Sequence, residues 1–110
     1  VSPVAEIQKL IASYIPMSEP SFLVLYSLLH ENHGYGIMQN ATRLTQGRVS
    51  LGAGTVYTIL YKMENDGLIE VTREVERRKL YCITPAGRKV LTAEMERIIQ
   101  LYHMIEQTEG

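Results

Sequence analysis

The sequence predicts a mainly helical α+β fold, a winged helix-turn-helix with an extra helix at each end. Three observations predict it. Apolar residues recur at helical spacing in five segments. Two short β-branched runs, Leu68–Arg73 and Arg78–Ile83, stand side by side before the last of those segments. Proline or glycine marks most junctions between them. The order is therefore four helices, two strands and one helix, and helices two to four plus the hairpin form the winged motif.

The first helix runs from about Pro3 to Ile15, because Val4, Ile7, Leu10, Ile11 and Tyr14 recur on one face. Ser2 followed by Pro3 suits a cap and first turn, and Pro16 ends the helix. Ser18, Glu19 and Pro20 open the second helix, with Ser18 or Ser21 as its cap. Its run Phe22–Leu29 is apolar almost all round and so belongs at the centre of the domain, with Gly34 at its end. The third helix starts near Tyr35, carries Ile37, Met38, Ala41 and Leu44, and stops at Gly47. Arg48–Leu51 reads as a short extended piece.

The fourth helix, about Ala53–Asn65, has two distinct faces. At roughly 100° per residue, Val56, Ile59, Leu60 and Met63 share one arc. Thr55, Tyr57, Thr58, Tyr61 and Lys62 occupy the rest. A helix that is anchored on one side and polar on the other is built to project outward. Asp66-Gly67 stops it. The two strands follow, joined by the polar loop Glu74–Arg77, and Thr84-Pro85 caps and starts the last helix, which continues to about Gln107. In that helix Leu91, Met95, Ile98, Tyr102 and Ile105 recur in alternating steps of four and three, a heptad seam that Ile99, Leu101 and Met104 widen. So wide an apolar stripe on a terminal helix calls for a partner subunit to cover it.

Composition bounds the function. At 110 residues the chain fits one small domain, and 45% hydrophobic with 21% charged residues is ordinary for a globular protein. No apolar run reaches the ~20 residues that span a bilayer, and the N-terminus has no signal-peptide pattern, so the expectation is a cytoplasmic protein with no membrane partner. Cys82 stands alone and cannot form an internal disulfide. Net charge is −1, yet residues 43–90 hold nine basic and five acidic groups, a local excess of +4 that the rest of the chain offsets with −5. Phosphate attraction is screened within about 8 Å, so the local excess governs.

Several pieces recur in one order and spacing: Leu28-Leu29 followed by His33-Gly34-Tyr35-Gly36, the element Leu51–Tyr57, the run Leu60–Ile69 with Met63-Glu64 and Asp66-Gly67, and Arg78–Tyr81 with Ile83–Gly87. Together they resemble the PadR family of bacterial transcriptional regulators, over about Phe22 to Leu91, and the length resembles its short subgroup. The resemblance implies a homodimeric repressor with a recognition helix at Gly54–Asn65, a wing at Glu74–Lys79, and the C-terminal helix in the dimer interface with help from the N-terminal one. The implied division is 1–17 for the N-terminal interface helix, 18–84 for the DNA-binding domain and 85–110 for the dimerisation helix. Two departures stand out. Thr58 occupies a position where many members carry proline, and the chain has no tryptophan to stack on a planar drug at the interface.

Double-stranded DNA is thus the expected partner, read as a palindromic operator by a dimer. Phosphate contacts give affinity and base-edge contacts give position. Thr55, Tyr57 and Lys62 are the first choices for backbone contacts, and Thr58 and Tyr61 for base edges or thymine methyls. The competing readings are packing for Tyr57 and Tyr61 and helix capping for Thr55. Arg77, Arg78 and Lys79 belong to the wing, against a solvated loop balanced by Glu74 and Glu76. Arg43 and Arg48 are candidate phosphate anchors, against ordinary surface charge. For the dimer interface the expected residues are Ile7, Ile11, Tyr14, Leu91, Met95, Ile98, Tyr102 and Ile105. A small hydrophobic effector would fit there among Tyr14, Tyr102, Met95 and Met104, unless these are plain interface core.

No cofactor, metal or catalysis is expected. His30 and His33 have the spacing of a metal pair but lack supporting cysteines or carboxylates. Cys82 reads as a buried, inert thiol. Gly52-Ala53-Gly54 lacks the rest of any phosphate-loop fingerprint, and no nucleophile, base and orienting acid occur together. The alternative function is a winged-helix protein-interaction module that does not bind DNA.

Overall fold

A computed structural model describes residues 3–109, so the Ser2 cap lies outside the described residues. The elements are α1 (Pro3–Tyr14), α2 (Glu19–Ser27), α3 (Gly34–Leu44), α4 (Ala53–Asn65), β1 (Ile69–Val75), β2 (Arg78–Ile83) and α5 (Pro85–Glu109). Their number and order match the winged helix-turn-helix expectation.

α2 is the hub. Val24, Leu25 and Leu28 are fully buried, and around them close Ile37 and Ala41 of α3, Val56, Leu60 and Met63 of α4, Leu68 and Ile69, Ile83, and Val90 and Leu91 of α5. Each large aliphatic side chain removed from water contributes about 1.5–3 kcal/mol, so this shared centre fixes how the helices sit. Burial is not complete round the helix: Tyr26 is exposed and stacks on Phe22, with ring centroids 5.6 Å apart. Ser18, not Ser21, is the cap, since its Oγ accepts from the Ser21 N–H at 3.2 Å.

The end of α2 differs from expectation. The helix stops at Ser27, and Gly34 begins α3. The residues between are drawn to the hairpin: the Ile83 N–H donates to the Leu28 carbonyl at 2.8 Å, and Asn32 and Tyr81 exchange backbone hydrogen bonds of 3.0 and 2.8 Å. These bonds satisfy the inner edge of β2, which a two-stranded sheet would otherwise leave open. Gly34 is buried because the Tyr57 ring lies on it. A Cβ there would stand 2.6 Å from the Tyr57 Oη, so no larger residue fits without moving that ring.

The wing is an antiparallel hairpin longer than the sequence implied. β1 reaches Val75, and the loop shrinks to Glu76-Arg77, both with positive φ of 52° and 66°. Two-residue hairpin turns of the primed types need such angles, and a non-glycine residue adopts them only with strain. The register slips between Val71 and Arg73. The displaced Thr72 hydroxyl donates to Glu31, which also receives the Arg73 guanidinium at 2.9 and 3.1 Å. The base of the wing is thereby tied to the α2–α3 connection. At the other end of the domain, Glu94 on α5 is buried and accepts from the Met17 N–H at 3.2 Å and from Arg97 at 2.6 and 2.8 Å. That contact fixes the α1–α2 linker to α5. The Arg97 guanidinium, and then the Met17 N–H, hold the Glu94 carboxyl below its ordinary range.

Candidate nucleic-acid interface

α4 divides as its wheel implied. Val56, Leu60 and Met63 are buried, Ile59 is half-buried, and Thr55, Tyr57, Thr58, Tyr61 and Lys62 are exposed. Tyr61 is 71% exposed, which removes the packing alternative for it. Tyr57 does both: one side of its ring rests on Gly34 while 54% of the residue faces solvent. Gly52 occupies the N-cap with no side-chain bond, and among the described residues Thr55 makes no side-chain hydrogen bond either.

Lys62 is turned aside. Its Nζ lies 2.9 Å from Asp66 Oδ2 and 4.7 Å above the Tyr14 ring, and the Tyr14 hydroxyl donates to the same Asp66 oxygen at 2.6 Å. The Tyr14 hydrogen bond, then Lys62, hold the Asp66 carboxyl below its ordinary range. Burial, then Asp66, push the Tyr14 phenol up. Tyr14, expected at a subunit interface, is therefore engaged inside its own protomer. It lines a 230 Å³ cavity with Met17, Thr58, Ile59 and Lys62, and neither Tyr102, Met95 nor Met104 lines that cavity.

Arg77, Arg78 and Lys79 are all exposed on the wing. Together with Tyr57, Tyr81, Glu74 and Glu76 they border an open groove of about 450 Å³ between wing and α4. Arg78 leans toward α3, its Nη1 3.3 Å from His33 Nε2. Arg43 is exposed and donates to Asn40. Arg48 forms a two-pronged pair with Glu19, whose carboxyl the guanidinium holds below its ordinary range, so an incoming phosphate must compete with that acid.

The seam on α5 splits. Leu91 is 1% exposed within its own protomer, which corrects its placement at a subunit interface: the helix is still crossing the domain core at that point. Met95 packs against the same core. Ile98, Tyr102 and Ile105 are exposed, as are Ile99, Leu101 and Met104. Ile7 and Ile11 are half-buried and line a shallow cleft with Arg88, Thr92 and Ala93 of α5.

His33, which the sequence reading set near the end of the second helix, belongs instead to the start of the third. It is the N-cap of α3, its Nδ1 accepting from the Gly36 N–H at 3.0 Å. The usable signal was its position three residues before Gly36 at a helix start. Among the described residues no group of three or more potential metal ligands occurs. Cys82 is half-buried rather than enclosed.

The model of the PadR-like transcriptional regulator family matches residues 23–93, well over half of the chain. The chain belongs to the PadR family. Members are transcriptional regulators and not enzymes. Curated relatives include a transcriptional regulator of Mycobacterium tuberculosis, 36% identical over 75 residues that make up 66% of this chain and 67% of that protein. An uncharacterized protein of a Streptomyces fradiae transposon is 33% identical over 69 residues, and this PadR chain spans only 19% of its length and matches with 63% of its own. Among solved structures, a transcriptional regulator from Clostridium thermocellum superposes with a TM-score of 0.70 at 23% identity, covering 97% of this chain and 96% of that one. A PadR regulator from Clostridium difficile gives 0.70 at 23% identity over 84% of this chain and all of the other. These likenesses show the fold. Among the described residues no helix is long and apolar enough to cross a membrane.

Proposed function

We propose that this PadR protein is a cytoplasmic, homodimeric repressor that binds a palindromic operator in double-stranded DNA. One observation carries the reading. The exposed face of α4 and the cations of the wing border the same groove, and Arg77 and Lys79 form no ion pair there among the described residues. Hydroxyls and phenols on a helix beside unneutralised cations suit base edges beside phosphates. The bare aliphatic stripe of α5 supports pairing of two copies, which would set two α4 helices about 34 Å apart for successive major grooves. A small hydrophobic ligand lodged between paired α5 helices would change that spacing and release the DNA.

The test is salt dependence. Binding of operator fragments, selected from random DNA, should weaken steeply between low and moderate salt, and Arg77→Ala should lower the log–log slope by about one. Retention of no duplex at low salt would leave the protein-interaction alternative standing instead.

A further inference from the structure

We propose that His33 and Arg78 form a clamp for a single DNA phosphate at the junction of wing and α3, an assignment that rests on the DNA-binding reading above. The starting point is a mismatch of hydrogen-bonding roles. His33 Nδ1 accepts from the Gly36 N–H at 3.0 Å. An imidazole whose Nδ1 accepts carries its proton on Nε2. That Nε2–H faces Arg78 Nη1 at 3.3 Å, and a guanidinium offers only donors. Two donors meet, and neither can satisfy the other. The missing partner is an acceptor that both can share.

Three of the other six arginines show the contrast, while Arg43, Arg77 and Arg88 have no ion pair among the described residues. Arg48 has Glu19, Arg73 has Glu31 and Arg97 has Glu94. Arg78 has no carboxylate among the described residues and faces an imidazole N–H. Glu31, the acid nearest in sequence to His33, is already engaged by Thr72 and Arg73. A third donor lies close by. The Tyr57 phenol rests on Gly34, the residue after His33, and its hydroxyl makes no hydrogen bond among the described residues. The chemistry that answers two neutral donors beside a guanidinium is a phosphate oxygen. Because the clamp reads no base edge, it would act on any duplex. It would fix the angle between wing and α3 as DNA docks.

The experiment measures anisotropy of a labelled duplex of arbitrary sequence across a salt series, with wild type, His33→Asn, His33→Ser, Arg78→Gln and the double variant His33→Asn/Arg78→Gln. Asparagine and serine both keep an acceptor for the Gly36 N–H, so α3 stays capped, and circular dichroism melts confirm the fold. Arg78→Gln should lower the salt slope by about one. His33→Asn and His33→Ser should each weaken binding about tenfold with the slope unchanged, as expected for loss of a neutral donor to a charged acceptor. The double variant should be no weaker than about twofold below Arg78→Gln alone, since both groups serve one phosphate. Histidine variants that bind like wild type, or losses that multiply in the double variant, would overturn the clamp alone. A wild-type protein that binds no duplex would overturn the DNA-binding reading and the clamp with it. Should both capped histidine variants melt early, the slope and coupling of Arg78→Gln with Tyr57→Phe decide: losses that multiply would refute a shared phosphate.

Discussion

α4 and α5 begin from the same kind of sequence and end differently. Both are amphipathic helices with an apolar arc and a second, exposed face. In α4 the apolar arc is consumed by the protomer's own core, and what remains outside carries hydroxyl oxygens at its tips: Thr55, Tyr57, Thr58 and Tyr61. In α5 the apolar arc outruns the core. Leu91 is inside, but Ile98, Ile99, Leu101, Met104 and Ile105 stand in water with no polar atom on their side chains. The lesson is that the chemistry of a leftover surface names its partner. Hydroxyl-tipped aromatics beside cations suit a polyanion with hydrogen-bonding edges, whereas bare aliphatics suit another protein surface.

Four variants sharpen or break that contrast, from the largest effect to the smallest. Ile98→Glu with Ile105→Glu should convert a dimer to a folded monomer by light scattering and lower operator affinity by at least about a hundredfold, because two linked sites become one. If the double variant stays dimeric, the stripe on α5 is not the partner surface. Next come neighbours on α4. Leu60→Ala should destabilise the fold by about 3 kcal/mol in urea melts. Tyr61→Ala should change stability by less than about 0.5 kcal/mol while weakening DNA binding. Equal stability losses at the two positions would erase the distinction between faces. The smallest effect concerns the contact from α1 to α4. Tyr14→Phe removes a hydrogen bond to Asp66, which should cost about 1 kcal/mol at neutral pH, after discounting for partial exposure. Asp66 is held below its ordinary value of 3.8. Its folded form therefore binds fewer protons than the unfolded chain, and the contribution is complete above about pH 5 and fades as pH falls through the folded pKa. A Tyr14→Phe penalty that persists undiminished at acid pH would show that the hydroxyl's contribution does not depend on the ionised carboxylate.

Much of the fold was legible because it is written in local signals. Periodicity marked each helix, Asp66-Gly67 ended α4, and Thr84-Pro85 opened α5. The wheel of α4 predicted its buried arc residue by residue. What was not legible depended on contacts far apart in sequence. α2 ends at Ser27 because β2, some fifty residues later, takes the backbone of Leu28 and Asn32 as partners. Gly34 looked like a stop and is a start, since only the Tyr57 ring explains its lack of a side chain. Lys62 looked free on its wheel, but Asp66 one turn on and Tyr14 from α1 draw it aside. Leu91 fitted a heptad seam, yet a heptad pattern does not say where the domain surface begins. His33 was read by its spacing to His30, when its capping of α3 mattered more.

The hydrophobic centre around α2 closes within one protomer, with no buried side-chain polar atom left unpartnered among the described residues. Pairing of two copies, if it occurs through α5, would thus be separable from folding. If two copies pair through α5, free protomers and pairs are both folded species, and only the pairs grip an operator firmly. Below the dissociation constant of the pair, occupancy of the operator would then rise with the square of the protomer concentration. A modest change in how much of the protein a cell makes would act as a switch in its own right, without any ligand.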